Sequence, residues 1–186
     1  MLKRLFDLIF CVFLMPIWLS IILVMIITSR IFNGRPIFFT QIRGGYKNKK
    51  IKIHKFRTID KNNHINYYSH LIRLLKLDEL PQFINILKGD LSLVGPRPLM
   101  YEYKNLFSKK HFKRFDVPPG VTGWSQIKSN KKTKWLKKFD YDLWYVENQN
   151  FFLDLKILFY TIFNIWLALT SKNKISDPKV RFNGKN

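Results

Sequence analysis

Between Leu8 and Ser29 the chain carries no charged residue, and Pro16 stands near the middle of that run. The length is enough to cross the hydrocarbon core of a bilayer. The proline complicates crossing, because it removes a backbone N–H and frees the carbonyl four residues back, at Val12. In lipid that carbonyl must find a partner, and Ser20 is a candidate. Lys3 and Arg4 precede the run; Arg30 and Arg35 follow it. Cations on both flanks favour holding both ends on the cytoplasmic side. A single spanning helix and a helix–break–helix that enters one leaflet and returns both remain open. In the second reading each half is too short to cross, Leu8 to Met15 rising only about 12 Å. A cleavable signal peptide fits poorly, since the run is long and Thr28-Ser29-Arg30 is a weak cleavage site.

A second apolar stretch, Phe151 to Leu169, is interrupted by Asp154 and Lys156. Phe152, Leu155, Phe159, Ile162, Phe163 and Trp166 share one helical face. It reads either as an amphipathic helix lying in the membrane interface, Trp166 at headgroup depth, or as a buried core helix.

The 186-residue chain as a whole is strongly basic, with 33 Lys+Arg against 12 Asp+Glu and a formal net charge of +21. Such a surface expects anionic partners: lipid headgroups, nucleic acid or phosphorylated substrates. The one cysteine, Cys11, excludes an internal disulfide, and the four scattered histidines lack zinc-ligand spacing. Pro36 to Gln41 and Ile51 to Thr58 read as strands around the polar segment Gly44 to Lys50, a hairpin. Ser69 to Leu77 reads as a helix with Leu71, Ile72, Leu74 and Leu75 apolar and Arg73 opposite.

Against this basic background, Leu77-Asp78-Glu79-Leu80-Pro81-Gln82 places two adjacent carboxylates before an apolar face of Leu80, Phe83, Ile84 and Leu87. Asp78 stands where a helix N-cap belongs, Pro81 in the first turn, and Gly89 supplies the stop. A helix N-terminus there would keep Asp78 ionised and attract an anion. The pair reads as a nucleophile facing a phosphate or, more plainly, as an acidic first turn of a capped helix. Gly95-Pro96-Arg97-Pro98 is a stiff turn presenting one planar guanidinium suited to phosphate, or merely a solvent-facing arginine. Pro118-Pro119-Gly120-Val121-Thr122-Gly123-Trp124 is a second stiff turn, whose glycine N–H groups could hold a diphosphate or nucleobase, or a plain loop. The cation-rich runs Lys109 to Arg114 and Lys128 to Lys138 read as solvated faces or as lipid contacts. Trp135, Phe139, Tyr141, Trp144 and Tyr145 form a further helix, on which Asp140 and Asp142 should pair with cations.

In this order the motifs resemble the bacterial sugar transferases, the small monotopic polyprenyl-phosphate phosphoglycosyl transferases. The resemblance runs from Lys3-Arg4-Leu5-Phe6-Asp7 through Phe39-Thr40-Gln41, Lys55-Phe56-Arg57-Thr58 and Leu77 to Gln82. It continues through Leu87 to Ser92, Val94 to Pro98, Pro119 to Gly123, Phe139 to Asp142 and Leu153 to Ile157, and ends at Phe182-Asn183-Gly184. It implies an α+β, helix-rich fold with a re-entrant membrane helix over residues 1–30, broken at Pro16. A membrane-associated catalytic domain over 31–186 would carry a short β-hairpin and interfacial amphipathic helices. It implies transfer of a sugar phosphate from a UDP-sugar to membrane polyprenyl phosphate, releasing UMP, on the cytoplasmic face of the bacterial inner membrane. Asp78 would be the nucleophile and Glu79 its partner, with Mg2+ bound at Asp78 and Glu79. Lys55, Arg57, Arg73 and Arg97 would contact phosphate, with Pro96, Gly120, Thr122 and Gly123 lining the substrate site. The partners implied are the UDP-sugar, polyprenyl phosphate and anionic lipid of the cytoplasmic leaflet, with no nucleic acid and with a homodimer left open.

The chemistry is reasonable on its own terms. Both substrates are anionic, and a carboxylate nucleophile divides one repulsive displacement into two steps. Departures from the family pattern are Met15 in place of serine before Pro16, Gly44 in place of proline, and Pro118 in place of a basic residue. Ile127-Lys128-Ser129-Asn130 replaces the common Val-Asn-Gly-Arg, and the loop from Ile59 to Ser69 is short, so sugar selectivity does not carry over. The rival reading is a non-catalytic, membrane-anchored basic protein that binds anionic lipid or nucleic acid.

Overall fold

In the computed structural model the residues described are 2–59, 64–130, 132–170 and 182. Asn183, Gly184, Lys131 and the centre of the Ile59–Ser69 loop lie outside them.

The uncharged run forms two consecutive helices, Leu2–Phe13 (α1) and Met15–Asn33 (α2), parted at Leu14 with Pro16 in the first turn of α2. The break is stabilised differently from the expectation. Ser20 Oγ donates to Pro16 O at 2.7 Å, not to Val12, while the Trp18 indole N–H donates to Cys11 O at 3.0 Å. An indole reaching seven residues back across the break thus caps α1, which accounts for a break without the family's serine. The two halves are also unequal. At 19 residues, α2 alone would rise about 28 Å, so its length and composition suffice to span, contrary to the short-halves expectation.

Phe38–Gly44 (β1) and Lys50–Phe56 (β2) form the expected antiparallel hairpin, with Phe39 opposite Lys55 and Arg43 opposite Ile51. Side chains alternate across a strand. Ile51 and Ile53 therefore enter one core with Ile86, Leu93, Val94, Tyr145 and Ile157, while Phe56 enters another with Trp18, Ile22, Met25 and Ile72. Truncating a fully buried member such as Ile86 to alanine would cost about 2–5 kcal/mol. The second core fastens α2 to the soluble body.

Tyr67–Leu74 (α3) starts two residues early because Asn66 accepts the Ser69 N–H at 2.8 Å. It ends before Lys76, whose φ of 61° turns the chain into a 3-10 turn, Leu77–Glu79. Gln82–Lys88 (α4) follows and stops at Gly89, φ 91°. Asp78 is therefore not the expected N-cap. Three residues on stands Pro81, which has no N–H to receive, and the Leu80 N–H bonds Leu77 O at 3.2 Å. The expected apolar stripe is also rotated. Gln82, Asn85 and Ile86 are buried, Phe83 and Leu87 lean on the α2 core, and Ile84 is exposed.

Ser92–Val94 (β3) pairs in parallel with Gly120–Thr122 (β4), so the second expected turn is instead a strand. Between them lie a 3-10 segment, Tyr101–Leu106, the helix Lys109–Phe112 (α5) and a 3-10 turn, Lys113–Asp116. Trp124–Lys128 (α6), Trp135–Asn148 (α7) and Phe151–Thr170 (α8) complete the described chain. On α7 both acids are paired as expected: Asp140 with Lys110 at 2.9 Å and Asp142 with Arg114 at 2.7 Å. Only Leu153, Asp154 and Ile157 of α8 are buried, whereas Phe152, Phe159, Ile162 and Trp166 are exposed. That rules out a buried core helix. By length and composition α2 and α8 are both apolar enough to cross a membrane, which for α8 is more than the sequence reading allowed.

Candidate active site

The hairpin register, the 3-10 turn and the loop after β3 bring one charge cluster together. Lys55 lies on the Ile53 face of β2, at the end that meets the turn carrying Asp78 and Glu79. Its ammonium bonds Glu79 Oε1, and Arg97 reaches the same oxygen at 3.2 Å. Glu79 is 7% exposed. Burial alone would raise its pKa, but Arg97, Lys55 and Lys76 outweigh burial and hold it well below the usual carboxylate range. Burial also lowers the Lys55 ammonium, against the pull of Glu79.

Asp78 behaves oppositely. Half-buried, it has no hydrogen-bond or ion-pair partner among the described residues. Burial and then the adjacent Glu79 charge raise its pKa, while Lys55, Lys76 and Arg73 pull it back. The expected source of ionisation, a helix dipole, is thus replaced by side-chain cations, since α4 is short and its first N–H groups are taken by Leu80 O and Pro81 O. Arg73 is held beside this carboxylate by a 2.6 Å bond from its Nε to Thr58 Oγ1. A carboxylate without partners, faced by three cations, is free to reach an anionic centre.

Gly120 lines the site as expected, but it and other expected site residues spend their polar groups within the protein. Arg57 donates to Arg35 O at 2.8 Å. Gly120 N–H is taken by Pro96 O at 3.0 Å, and Thr122 Oγ1 pairs with Thr161 Oγ1 at 2.6 Å. A Cβ on Gly120 would lie 2.0 Å from Gly95 N, and one on Gly123 2.1 Å from Gly95 O. These glycines permit close backbone approach, and the resulting clasp of Gly95–Pro98 against β4 aims Arg97 at Glu79. Arg97 is fixed further by Arg114, which donates to Arg97 O at 2.7 Å from its buried pair with Asp142.

Two residues given no role by the sequence reading join the cluster. Arg43 and Gln82 line a small depression with Lys55, Glu79, Arg97 and Gly120. Burial, helped by the nearby Arg97 charge, pushes the Arg43 guanidinium down to about 10. The register was the available signal: Phe39, Gln41 and Arg43 share the hairpin face of Ile51, Ile53 and Lys55.

Among the described residues no three His, Cys, Asp or Glu gather into a metal cage. Two adjacent carboxylates do fit magnesium, which binds through one or two carboxylates together with substrate phosphates.

Residues 1–168 match the family described as bacterial sugar transferase. The chain is 47% identical over 172 residues to the uncharacterized sugar transferase EpsL of Bacillus subtilis (strain 168), covering 87% of this chain and 85% of that one. It is 31% identical over 179 residues to the UDP-N-acetylgalactosamine-undecaprenyl-phosphate N-acetylgalactosaminephosphotransferase of Aeromonas hydrophila, covering 86% of this chain and 42% of that one. It is 34% identical over 183 residues to the UDP-glucose:undecaprenyl-phosphate glucose-1-phosphate transferase of Klebsiella pneumoniae, covering 87% of this chain and 39% of that one. The chain thus spans less than half the length of these last two. With its motifs in order and a family match over nearly its whole length, the chain belongs to the bacterial sugar transferases.

Proposed function

We propose that this protein moves a sugar phosphate from a UDP-sugar to polyprenyl phosphate and so starts glycan assembly on the cytoplasmic face of the inner membrane. The observation that carries this reading is the unpartnered Asp78 beside a buried Glu79 whose own charge is occupied by Lys55 and Arg97. Asp78 Oδ attacks the phosphorus that bears the sugar; the P–O bond to UMP breaks, and UMP leaves with the electron pair. An oxygen of polyprenyl phosphate then attacks the same phosphorus, and the bond to Asp78 breaks to restore the carboxylate. Lys55, Arg73 and Arg97 stabilise charge on the equatorial oxygens. Glu79 keeps Lys55 and Arg97 in place. Asp78, Glu79 and the substrate phosphates would hold Mg2+, which neutralises charge on the departing nucleotide.

The re-entrant arrangement is supported by where the two ends of the helix pair are tied. At the start, Lys3 bonds Asp154, and Arg4 bonds Ile86 O and Leu87 O at the end of α4. At the finish, Asn33 donates to Arg57 O at 2.9 Å and accepts from Ser69 Oγ at 3.0 Å. Both ends grip one soluble body, so both lie on one side of the bilayer, although α2 is long enough to span. Exposed Ile17, Leu23, Val24 and Ile27 face lipid, and α8 adds a second lipid-facing surface. The basic surface rests on anionic headgroups.

The test is incubation of the purified protein and Mg2+ with polyprenyl phosphate and, in turn, UDP-N-acetylgalactosamine, UDP-glucose and UDP-galactose. At least one donor should yield UMP and polyprenyl-diphosphate-sugar in equal amounts. If none does, while lipid or nucleic-acid binding survives Asp78→Asn, the non-catalytic reading replaces this one.

A further inference from the structure

The depression beside Glu79 holds more donors than the protein can satisfy. Its one carboxylate, Glu79, accepts from both Lys55 and Arg97. Arg43 adds a third cation, and among the described residues its only side-chain bond is to Gln41 Oε1. Arg43 Nε is buried without an acceptor. Gln82, 2% exposed, has a buried amide Nε2 without an acceptor in the same depression. These donors come from two different elements, β1 and the start of α4. An unpaired buried donor is costly, so two in one small space call for a missing partner. With Arg43, Lys55 and Arg97 around one carboxylate, a compact anionic acceptor suits this space best. A phosphate monoester has this chemistry, with oxygens that take charge-assisted bonds from guanidinium and ordinary bonds from amide N–H.

We infer that Arg43 and Gln82 bind a terminal phosphate monoester, the group common to departing UMP and incoming polyprenyl phosphate. This rests on the transferase reading for its ligands but not for its geometry. In a two-step exchange the leaving and attacking groups approach the same phosphorus, so one monoester site serves each in turn. Lys55 then belongs to both halves of the site, bonded to Glu79 on the depression's wall and close enough to stabilise the Asp78 charge.

The test measures direct binding of UMP, and separately of a short-chain polyprenyl phosphate, by titration calorimetry on the full chain in detergent. Wild type is compared with Arg43→Gln, Arg43→Lys and Gln82→Met. Removing one charge-assisted donor should weaken binding roughly tenfold for Arg43→Gln, with Arg43→Lys intermediate and Gln82→Met several-fold weaker. Thermal melting supplies the second readout. Because Gln82 Nε2 has no partner among the described residues, Gln82→Met should leave Tm unchanged or raise it, whereas a purely structural glutamine would lower it. Weakening in both arms supports one shared site, and weakening in one arm assigns the site to that phosphate. Affinities within twofold of wild type in both arms for all three variants would overturn the inference, as would a Gln82→Met protein that melts lower and binds normally. If these losses appear but no UDP-sugar turns over, the phosphate site stands and the transferase reading falls. If turnover proceeds without them, the reverse holds.

Discussion

Two buried polar clusters, one under α1 and one around Glu79, differ in whether the protein completes them. Under α1, Lys3 bonds Asp154 and donates to Tyr145 Oη at 3.1 Å. Tyr145 Oη lies 2.7 Å from Asp154 Oδ1 and 3.2 Å from Val94 O, while Asp7 accepts the Leu93 N–H at 3.2 Å. That cluster is largely closed: Lys3 and Asp154 meet inside the fold, and Asp7 takes a backbone N–H. Around Glu79 the cluster is open: three cations converge on one buried carboxylate, Asp78 is unpaired, and two donors lack acceptors. Both clusters contain a Lys–carboxylate ion pair, so a buried ion pair alone does not mark a site. What sets this cluster apart is an unpaired carboxylate, Asp78, beside two donors without acceptors.

The contrast fixes how variants should divide between activity and stability. The largest effect is expected at the open cluster. Asp78→Asn should lower turnover at least about 10³-fold with an unchanged melting curve, because the nucleophile has no partner among the described residues to lose. Lys55→Met should cost about 10²–10³-fold in kcat/KM for the UDP-sugar, the usual loss for a donor that stabilises transition-state charge. At the closed cluster the pattern should invert. Tyr145→Phe removes the hydroxyl between Lys3, Asp154 and Val94 O; it should cost about 1–3 kcal/mol, several degrees of Tm, and leave the KM values of the folded protein unchanged. A Tyr145→Phe protein of wild-type stability and impaired KM would erase the distinction.

Acid should separate Asp78 from Glu79 with smaller effects. Asp78 is raised above 3.8, so kcat/KM should fall on acidification with an apparent pKa above that value. Glu79 is held low, so relative to the unfolded chain it contributes stability that is complete well above 4.5 and drains away as pH falls through the lowered native value. Unfolding of Glu79→Gln followed by denaturant between pH 3 and 6 should lose that part of the slope. If Glu79→Gln instead abolishes the acid limb of kcat/KM and leaves the stability slope intact, the two carboxylates have exchanged roles.

Much of this site was legible before folding. Asp78 and Glu79 stood out as adjacent acids in a basic chain, and the hairpin followed from strand alternation around Gly44 to Lys50. Arg97 was marked by two flanking prolines. What stayed hidden was pairing at a distance. Nothing local to Gly120 or Gly123 says that a parallel neighbour at Gly95 occupies the space of a Cβ, so their N–H groups read as ligand donors. Nothing near Pro16 names Trp18 as the cap for Cys11 O. Arg43 reads as a hairpin arginine until the register sets it on the face of Lys55, and Gln82 as the end of a motif until burial strips its amide of partners. Pro81 was visible throughout, yet its effect was misread. It denies Asp78 a backbone donor and so leaves that carboxylate available.

The most direct test is intact-protein and peptide mass spectrometry after rapid acid quench with a turned-over UDP-sugar and Mg2+, without polyprenyl phosphate. The account predicts a mass increase of one sugar phosphate, confined to the peptide containing Asp78, with one equivalent of UMP released and the adduct discharged on adding polyprenyl phosphate. Steady product formation with no such adduct at any quench time would contradict it.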